Sequence, residues 1–346
     1  MKRRKDTILL AGIFLTIILF FFLNLLLGTI SIPARSIWNI VTDAGNEPEI
    51  WENIIWKTRF PQTLTALVAG AGLAISGLQM QTVFRNPLAG PSELGISSGA
   101  SLGVALMILL SGSIGGVALS RIGFFGEIAV SVAAIIGAMA VMAIIIAISQ
   151  RVRGNVILLI IGVMIGYIAT AIIGVLKFFS NDEDVRAYVI WGLGSFSKVS
   201  GNQVYTFVGI MLVLIPLSFL LIKTLNLMLL GESYARNLGL NIKRARLHTI
   251  ICSCLLTAII TAYCGPIVFL GLAVPHLCRT IFRTSDHRIL MPAVMLSGAS
   301  LALLCNLIAR MPGFEGALPI NSVTALIGAP IVISVLFSKR KNEIAA

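Results

Sequence analysis

The chain has 346 residues, 57% hydrophobic and only 12% charged, with a net charge of +12 and a mean hydropathy of +0.97. A soluble domain carries roughly 25% charged residues, so this composition excludes a soluble globular class and points to an integral membrane protein. Its apolar runs are continuous and do not alternate with polar residues, which favours helices over a closed β-barrel.

About 20 apolar residues cross the hydrocarbon core as a helix, which gives this chain on the order of ten spans. The first run, from Thr7 to Ala34, has no charged side chain and follows Lys2, Arg3, Arg4 and Lys5. A signal peptide has a shorter apolar region and a small-residue cleavage site, whereas this run continues to Ser31-Ile32-Pro33. A retained helix over 7–28 is therefore expected. Further spans are predicted over 62–82, 93–112, 126–149, 155–176, 203–222, 245–263, 267–282, 290–308 and 322–337. An even number puts both termini on one side, and 18 of the 26 Lys and Arg fall on that side. Positive residues concentrate in cytoplasmic segments, so both termini are expected in the cytoplasm. The basic balance then requires no nucleic-acid partner.

Small residues recur at four-residue spacing, as Gly99 and Gly103 in the third span and as Gly162, Gly166, Thr170 and Gly174 in the fifth. In lipid, helices associate through close van der Waals contact, which small residues permit. Two readings stay open: a tight helix contact, or a smooth wall along which a bulky solute passes. The fifth span is the first candidate for such a path. Gly265-Pro266 and Val274-Pro275-His276 flank the short eighth segment, and Pro312, Gly313 and Pro319 fall in the last outer loop. Proline removes a backbone donor, and a break at membrane depth must be buried in protein or line a cavity. The eighth span is expected to be broken or re-entrant.

Residues 226–246, NLMLLGESYARNLGLNIKRAR, form a polar island between the sixth and seventh spans and read as a docking loop for a partner. The chain has no G-x-x-x-x-G-K-[ST] loop, so ATP hydrolysis is not assigned to it and energy is expected from a separate ATPase. Cys252, Cys254, Cys264, Cys278 and Cys305 lie in or beside apolar runs and read as small buried hydrophobes. Cys252 and Cys254, two apart, point to different helix faces, which argues against a metal pair. His248, His276 and His287 fall near inner span ends, where a structural role is preferred to haem or iron ligation. Glu93 and Glu127 sit at span edges, and no deep acid offers a proton relay. The chain is read as a non-enzyme with neither metal nor cofactor of its own.

Four blocks carry a family resemblance. They are Arg59-Phe60-Pro61-Gln62-Thr63-Leu64 with AGAGLAISGLQMQTVFRNPLAGPSELGISSGASLG (69–103), LGESYARNLGLNIKR (230–244), GPIVFLGLAVPHLCRTI (265–281) and LPINSVTALIGAP (318–330). In this order and spacing the chain resembles the FecCD family, the permease subunits of ABC importers for ferric siderophores, haem and cobalamin. The resemblance implies one transmembrane permease domain over 1–346, with the type II importer architecture of the cobalamin permease. It further implies a homodimer with the pathway at its interface and two ATPase subunits inside, which carry ATP and Mg. A substrate-binding protein outside and a bacterial or archaeal inner membrane complete the expected assembly.

The resemblance also implies residue roles. Within the 226–246 loop, Gly231 to Gly239 would form a pair of short helices seated in an ATPase cleft. Gly231, Glu232, Ala235, Arg236, Leu238 and Gly239 are the expected coupling residues. On the outer face, Arg59 and Arg310 would grip acidic side chains of the binding protein, with interfacial snorkelling as the alternative. Gln62 stands where the family often has a second arginine, and Lys57 is the candidate replacement. An inner gate is expected at Gln150, Arg151, Arg153, Gly154 and Asn155, and a short helix after Asn181 at the outer mouth. The implied function is ATP-driven import of a ferric siderophore or haem by alternating access, between the fifth and tenth spans. Cobalamin import is the alternative within the family. From another class, an ion-driven carrier with an inverted repeat would differ in needing no ATPase.

Overall fold

In hydrocarbon each backbone N–H and C=O must be paired within its own element, and the apolar runs of this chain meet that demand as helices. The computed structural model describes residues 2–43, 47–115, 123–152, 155–199, 201–311 and 317–344, all helix, turn or irregular backbone. The helices are α1 Lys2–Leu26, α2 Ala34–Thr42, α3 Glu49–Ile54, α4 Phe60–Phe84, α5 Ile96–Gly115, α6 Gly123–Arg151, α7 Asn155–Phe178 and α8 Asp182–Gly192. They continue with α9 Asn202–Phe219, α10 Ile222–Leu229, α11 Glu232–Asn237, α12 Ile242–Cys264, α13 Leu270–Phe282, α14 His287–Ala309 and α15 Ile320–Ile344. Among the described residues, seven helices are long and apolar enough to cross a membrane, and three shorter apolar helices, in α5, α13 and α15, occupy the other predicted positions.

Helix α4 is the centre of the bundle. It runs on from α3 through a π turn, Ile55–Arg59, and is buried along nearly its whole length. It packs on α9, α12, α13 and α14. Missing side chains set the closeness of these contacts. A Cβ on Gly70 would lie 2.4 Å from the Gly298 carbonyl oxygen of α14, and one on Gly77 would lie 1.6 Å from the Gly271 oxygen of α13. Gly99 and Gly103 make the equivalent approach to α6, where a Cβ on Gly103 would lie 2.1 Å from the Ala133 oxygen. The small-residue ladder of the third span is thus a tight helix contact.

The eighth segment is broken on one side only. The chain turns at Gly265 (φ +77°) and Phe269 (φ +71°), and α13 then spans about 20 Å of a core about 30 Å thick. Asn321 braces the turn by accepting the Val268 N–H at 3.1 Å, and the Ser195 N–H reaches the Cys264 carbonyl at 2.8 Å. Pro275 was expected to mark the other break, but it lies inside α13. Its missing N–H leaves the Gly271 carbonyl without its i+4 donor, and that is the carbonyl against which Gly77 packs. A Cα–H···O contact there uses the oxygen that proline releases.

Helices α2 and α3 were not anticipated in the sequence. They follow Pro33 and Pro48, and Ile32, Ile37 and Ile40 pack on Ile55 of the π turn. Trp38, Ile50 and Trp56 are exposed around them, as aromatic and apolar side chains are at a membrane boundary.

Gly77→Ala is expected to destabilise the protein by about 1–3 kcal/mol through overpacking. Gly174→Ala is expected not to destabilise it, because nothing lies within 4 Å of the added Cβ and alanine suits a helix interior better than glycine. Thermal unfolding of the two variants in one detergent checks the pair.

Candidate functional site

The polar island folds as two helices joined at Gly231, whose φ of +111° admits glycine readily. Only one of them, α11, lies within Gly231–Gly239, where a pair was expected; its companion α10 precedes the segment. After α11 the chain reverses at Gly239 (φ +86°), with the Leu240 N–H on the Ala235 carbonyl at 3.0 Å and the Gly239 N–H on that of Arg236 at 2.9 Å. Ala235 is fully buried against the bundle, while Tyr234 and Leu238 are 60% and 55% exposed. Arg236 is exposed beside them. The unit therefore turns one small residue inward and a mixed aromatic, aliphatic and cationic face outward.

Three braces hold this unit to the spans. Arg246 of α12 pairs with Glu232 at 2.7 Å. Arg85, just after α4, donates to the Met228 carbonyl of α10 at 2.8 Å. Asn226 of α10 donates to Asp286 at 2.7 Å and accepts the His287 backbone N–H at 2.9 Å, and Thr82 of α4 lies 2.9 Å from the far ring nitrogen of His287. A force on α11 is thus passed to α4, α12 and α14. Nothing here is arranged for bond chemistry; the geometry is that of a lever.

At the opposite end the three predicted docking cations separate. Lys57 is exposed. Arg59, at 1% exposure, donates to the carbonyls of Leu25 at 2.6 Å, Leu26 at 2.9 Å and Ile30. It therefore ties off the end of α1 and presents no surface charge. Arg310 is also buried, and both guanidinium groups close on Gly28, where a Cβ would lie 3.0 Å from each. Burial, with Arg59 adjacent, pulls the Arg310 pKa down to about 10. Snorkelling does not describe Arg59, whose guanidinium is turned onto backbone carbonyls inside the protein. Gln62 is buried as well and donates to Asn306 at 2.9 Å, which donates to Asn24 at 2.8 Å. Asn24 in turn donates to the Leu303 carbonyl at 3.0 Å. This amide chain links α4, α14 and α1. The three amides are visible in the sequence as isolated polar residues within apolar runs, but nothing there pairs them.

The remaining candidates lie around α7. Gln150 and Arg151 close α6 and Asn155 opens α7, whereas Arg153 and Gly154 lie outside the described residues. Gly162 is not on an open wall: it is buried against the turn that leads into α5, where a Cβ would lie 2.8 Å from the Leu94 Cα. Gly166 faces Ser98 of the same helix. Thr170 and Gly174 are exposed, with the Thr170 hydroxyl turned back to the Gly166 carbonyl at 2.9 Å. The ladder therefore divides into a contact half and an open half. The open half continues into a broad apolar face with Tyr167, Ile168 and Val175 exposed.

The short helix anticipated after Asn181 is α8. Between it and α9, Lys198 donates to the Ile190 carbonyl at 3.1 Å in a cavity of about 400 Å³ lined by Trp191, Tyr263 and Ala262. Burial lowers the Lys198 pKa to about 8. All five cysteines are buried and unbridged, in keeping with their reading as small hydrophobes.

Residues 15–338 match the model of the FecCD transport family. The chain belongs to the FecCD transport family. This FecCD permease is 35% identical over 318 residues to the hemin transport system permease protein HmuU of Yersinia pestis, covering 92% of this chain and 91% of that one. It is 37% identical over 286 residues to the vitamin B12 import system permease protein BtuC of Klebsiella pneumoniae, covering 83% of each. A solved structure described as an inward-facing conformation of a metal-chelate type ABC transporter superposes with a TM-score of 0.82 at 28% identity, covering 95% of this chain and 99% of that one. The FecCD permease is therefore the transmembrane subunit of an ABC importer, a multi-pass membrane protein and not the catalytic subunit.

Two outcomes follow from the outer end. Arg59→Gln is expected to lower stability by about 2 kcal/mol or more, the scale of a lost charged hydrogen bond, while Lys57→Gln leaves it unchanged in the same unfolding assay. Lys198, whose folded pKa lies below that of a free lysine, is expected to lose its proton near pH 8. Amine-selective labelling with peptide mapping should show its reactivity rising at lower pH than that of a free lysine amine added to the same reaction.

Proposed function

We propose that this FecCD permease works as a homodimer that imports an iron chelate, ferric siderophore or haem. Two ATPase subunits would dock on α11 from the cytoplasm, and a binding protein would deliver the solute from outside. The observation that carries the reading is the α10–α11 unit, which exposes Tyr234, Arg236 and Leu238 on and just after α11 and is braced to three spans through α10 and Glu232. A lever so braced is useful only if something pushes it, and rigid-body transfer is an established way to turn local movement into helix rearrangement.

In this reading both termini are cytoplasmic, in line with the charge distribution. The apolar face of α7 around Tyr167 and Ile168 and the exposed face of α15 around Leu326 meet those of a second copy, and the solute passes between them. Thr170 and Gly174 lie on that wall. Gln150 and Arg151 at the end of α6 and Asn155 at the start of α7 belong to the gate that opens when α11 moves, to which the resemblance also assigns Arg153 and Gly154. Lys57 is exposed and is the docking cation for an acidic contact, while Arg59 and Arg310 act by fixing the shape of the surface. ATP and Mg belong to the ATPase, and no bond is made or broken by this subunit.

The cargo is the finer part of the proposal. Relatives named for hemin and for vitamin B12 are about equally similar, so cobalamin is the second reading. Proteoliposomes holding the permease, its ATPase and its binding protein are expected to accumulate haem or a ferric siderophore when ATP is supplied; accumulation of cobalamin alone would establish the second reading. Tyr234→Ala with Leu238→Ala, both exposed and so harmless to the fold, is expected to cut ATP-driven uptake about tenfold, as loss of ~1.4 kcal/mol at an interface anchor would. Arg236→Glu should do the same. Uptake that persists without ATP would instead mark an ion-driven carrier.

A further inference from the structure

Beside the coupling unit lies a recess of about 850 Å³ whose lining includes Arg151, Arg236, Lys243, Arg244, Arg246 and Glu232. Among the described residues the one ion pair here is Glu232 with Arg246, so five cations face a single, already engaged carboxylate. Arg151, Arg236, Lys243 and Arg244 are exposed, which alone would describe a solvated basic surface. Arg246 differs. It is only 8% exposed, yet its Nε–H is buried without a partner. A buried guanidinium N–H without an acceptor is costly, and Arg246 lines a space already rich in positive charge.

We propose that this recess binds a phosphate group, supplied in the membrane by the headgroup of an anionic phospholipid. Guanidinium groups match phosphate oxygens in planar, paired hydrogen bonds, and several of them round one cavity make a phosphate the complementary occupant. Position selects the lipid as source. Ser149 is the last residue of one candidate span and Ile242 the first of another, and both line the recess, which places it at headgroup depth. Basic pockets between spans on the cytoplasmic side hold anionic headgroups by the same physics. A lipid seated there would bridge the turn after α6 to α11 and α12, stiffening the lever at the point where it meets the gate. The site does not depend on which ATPase or cargo the permease uses.

The test uses the full-length permease in nanodiscs of phosphatidylcholine, alone or mixed with phosphatidylglycerol. Native mass spectrometry counts retained phosphatidylglycerol, and thermal unfolding is followed in parallel. Wild type is expected to retain phosphatidylglycerol and unfold at higher temperature with it. Lys243→Gln with Arg244→Gln, two exposed positions, should weaken retention about twenty-fivefold, at roughly fivefold per cation. Arg3→Gln with Arg4→Gln, an equal loss of charge at the start of α1, should leave it unchanged. A parallel titration of inorganic phosphate into pure phosphatidylcholine discs separates the sources. Protection by phosphate with none from phosphatidylglycerol keeps the phosphate site and assigns it a soluble ligand. Protection by neither, or equal loss in the two double variants, overturns the proposal.

Discussion

The packing of α4 is the constraint on which the rest of the structure depends. Helix association in lipid gains nothing from removing apolar surface from water, so it rests on the closeness of backbone contact. Gly70 and Gly77 bring α4 against the backbones of α14 and α13 at separations that a methyl group would abolish. Each contact requires a matching absence on the other helix, Gly298 in α14 and Gly271 in α13. The broken eighth segment is thereby made stable: the carbonyl that Pro275 leaves without a donor faces Gly77 rather than hydrocarbon. A larger residue at position 77 would separate the helices and expose that oxygen.

Polar side chains reinforce this packing. The hydroxyl of Ser76 in α4 meets those of Ser253 and Thr257 in α12 at 2.6 and 2.8 Å, and the Gln62, Asn306 and Asn24 amides join α4 to α14 and α1. A polar group in an apolar interior is costly when unpaired, so each network penalises any rearrangement that separates its helices. The end of α1 is held in the same way, by carbonyls that Arg59 satisfies. Arg59 therefore stands at the boundary between a stiff bundle and the loops above it.

The sequence carried the helices well and the side-chain partnerships poorly, and the reason is physical. Long apolar runs have few alternatives in lipid, so the spans could be placed from hydropathy to within a few residues. The family could be recognised from four ordered blocks. Burial could not be read in the same way, because every span is apolar on all sides and hydropathy does not distinguish a lipid-facing face from a packed one. Gly162 looked like a wall position and is a contact. Arg59 and Arg310 looked like surface cations and are buried; the partners of Arg59 are backbone carbonyls, which no sequence motif announces. The amphipathic helices α2 and α3 were missed because they are short and polar enough to resemble a loop.

The position of α4 also explains how distant parts of the molecule are joined. It is 25 residues long, about 37 Å at 1.5 Å per residue, and an arginine stands at each end. At one end Arg59 holds the carbonyls that finish α1; at the other, Arg85 adopts a left-handed backbone (φ +49°) and holds the Met228 carbonyl of α10. Packed small residues run between them, leaving little compliance in which a displacement could be lost. Movement of the α10–α11 unit therefore cannot be confined to its own loop: it must carry α4 with it or break the Arg85 contact. Breaking a charged hydrogen bond costs about 1.5–3 kcal/mol, so small displacements favour moving the helix as a body. The same close packing that replaces the hydrophobic drive in lipid thus makes α4 a strut between the end of α1 and the α10–α11 unit.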